Sequence, residues 1–197
     1  MRSAELGSNS KDSLSTSFVS LVDTIFGVIL AEGFVVYQTN ILDPTLSPFI
    51  DFSLLLAYAT IILSWIGYHR SVEIYEYKAN RWSRLHLALD ISIVVLYAYL
   101  IFAAQTLSRM ILGLFLVFIF YTVTGIVRIA EWKSRKAGHP ELTMAIALGF
   151  LFEWFLSVKV KDGALSWSLL VFAFILVFGY RWIRGKFYPP AKVSKRR

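Results

Sequence analysis

The chain has 197 residues, 57% of them hydrophobic and only 17% charged, with a mean hydropathy of +0.61. Soluble domains carry about 25% charged residues, so this composition reads as one polytopic membrane domain with short tails. The lack of Cys excludes disulfides, thiolate metal centres and cysteine nucleophiles, and the net charge of +7 reads as loop charge that sets topology, not as a nucleic-acid surface.

Residues 1–16 form a polar, Ser-rich tail, and no cleavable signal is evident after it. The stretch 17–37, SFVSLVDTIFGVILAEGFVVY, follows as the first span. About twenty apolar residues cross the roughly 30 Å hydrocarbon layer as a helix. Pro44 and Pro48 mark the turn after it. The second span covers 50–69 and ends in Trp65-Ile66-Gly67-Tyr68-His69-Arg70, an aromatic and basic border. A polar connector with helix-forming residues follows, able to prolong that helix past the bilayer. The third span covers 85–104, the fourth 110–129, and a tight turn at 105–109 joins them. A polar loop, 131–141, leads to a rather short fifth span, 142–158, and a turn at 159–163 to the sixth, 165–183. Residues 17–185 thus form an all-α domain of six transmembrane helices, and 186–197 a basic tail.

Lys and Arg decide the orientation. The loops after the first, third and fifth spans hold only Arg109, Lys159 and Lys161, and every other basic residue falls on the opposite side. Positive charge stays inside, so both termini are expected in the cytoplasm. The lack of Cys and of any N-x-S/T sequon favours a prokaryotic cell membrane.

Acids inside the spans are the informative residues, because an ionisable group in hydrocarbon is costly and faces protein or water. Asp23 and Glu32 are nine positions apart on the first helix, hence on opposite faces at about 100° per residue. By depth, Asp23, His69, Arg70 and Asp90 share one layer and are expected to form a polar network pinning the first three helices. Glu32 and Glu153 lie in the outer half. Val28, Glu32 and Val35 follow i, i+4, i+7 and share a face. Around a symmetric pore that face would make an apolar ring at Val28 with a carboxylate ring above it, although on the helix alone plain packing of Val28 and Val35 against a neighbour is the better explanation. Gly27 and Gly33 read as close-packing positions.

These residues carry a resemblance. The chain resembles the transmembrane protein 175 family of potassium channels, found in lysosomes and in prokaryotes. Its helix-one motif, Arg-x-x-x-Phe-Ser-Asp, is met here by Ser17, Leu21, Val22 and Asp23, so only the Asp is kept. The family's Trp and His-Arg at the end of helix two match Trp65, His69 and Arg70 in spacing. The resemblance covers spans one to three by motif and the rest by topology. It implies a homotetramer with helix one around the pore, Val28 as the nearest counterpart of a hydrophobic constriction, and Trp65, His69 and Arg70 in a network with Asp23. It implies monovalent cations, K⁺ above all, as the partner. Glu32 has no apolar counterpart in the family and is expected to alter selectivity or gating.

Other classes leave weaker traces. A proton-coupled secondary transporter would use Asp23, Glu32, Asp90 and Glu153, but no inverted repeat or paired broken helices are visible. A membrane enzyme lacks support: His69, His86 and His139 sit apart, with no HExxH and no G-x-S-x-G turn. No metal or cofactor is expected. No TVGYG-type filter is present, which excludes an ordinary potassium channel. A non-conducting scaffold of the same fold, its basic tail on anionic lipid, is the remaining alternative.

Overall fold

The computed structural model describes residues 3–43, 47–74, 81–132, 139–158 and 163–187. Every element among them is helical: α1 (Ser3–Val36), α2 (Gln38–Leu42), α3 (Pro48–Ile74), α4 (Arg81–Ala103), α5 (Leu107–Trp132), α6 (His139–Val158) and α7 (Gly163–Phe187). Four contain stretches long and apolar enough to cross a membrane: Ser17–Val36, Pro48–Arg70, Arg84–Ala103 and Leu107–Val127. At 1.5 Å per residue each reaches about 30 Å, the thickness of the hydrocarbon layer. Leu142–Trp154 and Ser166–Trp182 are shorter apolar stretches. The chain is thus an integral membrane protein by the length and composition of its helices.

Several boundaries differ from the sequence expectation. The polar tail is not separate from the first span, since α1 is helical from Ser3. The turn after it contains a helix of its own: Tyr37 bends the chain, yet Tyr37 N–H still donates to Gly33 O at 3.1 Å and Ile41 N–H to Tyr37 O at 3.0 Å. Pro48 opens α3 rather than ending a turn, because the first helical position needs no N–H partner. α3 runs past the apolar stretch to Ile74, in line with a second helix prolonged beyond the bilayer. The connector at 75–80, most of the loop at 131–141, residues 159–162 and most of the basic tail lie outside the described residues.

The core is built around α5, which packs on α4 and α6 and touches α7. Met110, Ile111, Leu114, Val117 and Phe118 of α5 are fully buried, recurring at helical spacing. Gly113 lets α4 come close, since a Cβ there would stand 2.8 Å from Leu100 and 3.1 Å from the Tyr99 ring. Two hydroxyls in this core are satisfied locally: Thr60 donates to Leu56 O and Thr122 to Phe118 O, each at 2.8 Å. Such back-bonding costs a helix little and removes the need for a distant partner. An aromatic seam joins α3 to α7, with Phe49 and Phe52 against Trp167 and Phe52 against Phe174.

α1 is attached differently. Its inner face is Val22, Phe26, Gly33 and Tyr37, all buried. Phe26 meets the Tyr97 ring of α4 at 5.4 Å, and Tyr37 O–H points at Phe102 O from 3.5 Å. Gly33 lies beneath Tyr58 of α3, where a Cβ would come within 2.5 Å of the phenol oxygen and 2.9 Å of Ile101.

Candidate functional site

Asp23 lies on α1, one turn and a half inside the apolar stretch, and faces α3. Trp65 Nε1–H donates to its Oδ1 at 2.9 Å, and His69 Nε2 lies 2.8 Å from the same oxygen. Trp65 and His69 are i and i+4 on α3, so both project from one side of that helix. Their rings meet edge to face at 5.0 Å, which aligns the two donors on one acceptor. The Asp23 and His69 side chains each remain 37% exposed. An acid within an apolar helix is made tolerable by two N–H donors from its neighbour.

The opposite face of α1 is bare. Val28 is 61% and Val35 63% exposed, and Glu32 is exposed between them. Leu21, Thr24, Gly27 and Ala31 continue the same stripe. The half-turn separation of Asp23 from Glu32 therefore appears as one acid against α3 and the other on an open surface. Gly33 is a close-packing position, but Gly27 is not within the chain: nothing stands within 4 Å of where its Cβ would be.

The expected cluster of Asp23, His69, Arg70 and Asp90 is divided. Asp23, Trp65 and His69 come together, whereas Arg70 is exposed. Asp90 is buried and lies 3.8 Å from His86, one turn back on its own helix. That pairing follows from i, i+4 spacing, which a depth argument between helices overlooks. Glu153 is exposed on α6.

Two polar features were missed from the sequence. Arg181 of α7 donates to Ser64 of α3, and to Tyr121 O–H of α5 at 3.4 Å. Ser64 and Tyr97 both hydrogen-bond to the Tyr121 hydroxyl, so one guanidinium ties four helices. Its Cζ stands 5.8 Å and 5.4 Å from the Tyr121 and Tyr180 ring centres. The signal was present as an Arg within a span, hidden by counting it with the basic end of the chain. The second is Asp51 in the first turn of α3, whose carboxylate oxygens are enclosed without a hydrogen-bond partner among the described residues. No group of three or more metal-ligating side chains exists among those residues.

The fold and this site define a helical membrane protein whose first helix is pinned on one face and open on the other. Comparisons with protein families, curated proteins and solved structures find no match.

Proposed function

We propose that the protein is a cation channel of single-repeat design, similar to the transmembrane protein 175 family, with six membrane helices and cytoplasmic termini. Four copies place the open face of α1 around a common axis. Val28 then forms the hydrophobic constriction, and Glu32 and Val35 line the path beyond it. The observation that carries the reading is the split of α1. Asp23 is fixed to Trp65 and His69 on one face, while Val28, Glu32 and Val35 lie exposed on the other.

A carboxylate exposed in the outer half of an apolar helix is costly against hydrocarbon and favourable in a water-filled cation path. An apolar ring gates by dewetting, and an acidic ring concentrates cations before it. Asp23 does not touch the ion in this arrangement. It sets the rotation of α1, so the stripe keeps its angle to the axis. Selectivity arises without a carbonyl cage and is weak, with K⁺ the expected permeant ion.

Planar-bilayer recordings of the purified protein under opposing K⁺ and Na⁺ gradients test this. Unitary currents reversing towards the K⁺ potential, and altered conductance in Val28→Asn, are expected. Electrical silence from a folded tetramer would sink the proposal. Asp51, with its enclosed and unpartnered oxygens, favours a proton-coupled carrier as the second reading. Under that reading, proteoliposomes of the silent protein would take up a substrate in response to a pH gradient, and Asp51→Asn would abolish uptake.

A further inference from the structure

The Arg181 cluster has a charge imbalance. Its neighbours are hydroxyls and aromatic rings, and among the described residues no carboxylate lies within 4 Å of the guanidinium. Only Nη2 is engaged, with Ser64 and Tyr121; the remaining N–H groups make no protein hydrogen bond among those residues. A cation held in an apolar helix bundle needs an anion, and a half-satisfied guanidinium keeps N–H donors that a phosphate can accept.

The surroundings bring a second guanidinium near it. Nη1 lies beside Gly67 of α3, 3.1 Å from the position a Cβ would take, so even Ala there would press on the guanidinium. The guanidinium itself takes the space that a side chain at residue 67 would fill. Arg70 is three residues along α3 from Gly67, hence one turn further on the same stripe, and it is exposed. Gly67 thus has a guanidinium from α7 beside it and a second one turn away. Ile66 and Trp182, both exposed and the latter at 66%, add nearby the apolar and indole surface typical of a headgroup border.

We propose that Arg181 and Arg70 together bind the phosphate of an anionic phospholipid, with its acyl chains lying along the exposed faces of α3 and α7. The site assigns Arg70 a role that the Asp23 network does not supply. It rests on the membrane reading and not on ion conduction, so it stands or falls apart from the channel proposal.

Native mass spectrometry of the full-length protein, loaded with equal phosphatidylglycerol and phosphatidylcholine, measures the preference directly. Wild type is expected to retain phosphatidylglycerol selectively. Arg70→Gln, at an exposed position that tolerates change, should lose about fivefold of that preference, since one basic residue near an anionic headgroup is worth about 1 kcal/mol. Gly67→Leu keeps both charges but displaces the Arg181 guanidinium, and should lose as much or more. Arg84→Gln, also exposed but on α4, should leave the preference unchanged. Undiminished preference in folded Arg70→Gln and Gly67→Leu would overturn the proposal, as would a loss of equal size in Arg84→Gln. If millimolar inorganic phosphate displaces the lipid from wild type but not from Arg70→Gln, the site is one for a free anion and the lipid assignment is wrong.

Discussion

α5 and α1 are both apolar helices of spanning length, yet they are built into the molecule in opposite ways. Half of the apolar stretch of α5 is buried, against 22% for that of α1. α5 is held by continuous interdigitation with α4 and α6. α1 is held by discrete contacts: the donors on Asp23, the Phe26 and Tyr97 rings, and the fit of Gly33 under Tyr58. A helix fastened by a few directional contacts has a defined rotation but little adhesion. Its remaining surface is free for lipid, water or another copy, and that is the arrangement a pore-lining helix requires.

Substitutions sharpen this contrast. The largest loss should come from the α5 core. Leu114→Ala removes a fully buried side chain and should cost about 2–5 kcal/mol, read as lowered thermal stability in detergent. Gly33→Ala comes next, because its Cβ would meet the Tyr58 oxygen and Ile101. It should cost about 1–3 kcal/mol, and Tyr58→Phe in the same chain should recover part of the loss. Trp65→Phe removes one donor from Asp23. At a site more than a third exposed the cost should be about 1 kcal/mol, and a double-mutant cycle with Asp23→Asn should show coupling of similar size. A cycle without coupling would mean that the contact does not fix α1.

The smallest effect on the folded chain is expected at Gly27→Ala. Nothing lies near the added methyl, and Ala favours a helix over Gly by about 1 kcal/mol, so thermal stability should hold or rise slightly. If copies pack through this stripe, the same substitution should still reduce the tetramer fraction in cross-linking. An unchanged tetramer would place the contact between copies elsewhere on α1.

Four long apolar spans, their order and the nearness of Asp23 to His69 were legible in the residues themselves, whereas Trp65 joined that network only through the resemblance. Length and hydropathy define a membrane helix almost without reference to its neighbours. A carboxylate and an imidazole at one depth near a bilayer border have few other ways to be satisfied. The helical spacing of Val28, Glu32 and Val35 likewise established that they share a face. Which face of each helix meets a neighbour was not legible. α1 and α3 have low amphipathic character, as expected where lipid and protein interior are both apolar. Packing therefore decided that Gly33 is a contact and Gly27 is not, that Asp90 belongs with His86, and that Arg181 reaches inward to Ser64 and Tyr121. Small residues, hydroxyls and lone charges acquire meaning only from what stands opposite them, and the three-dimensional arrangement alone supplies that.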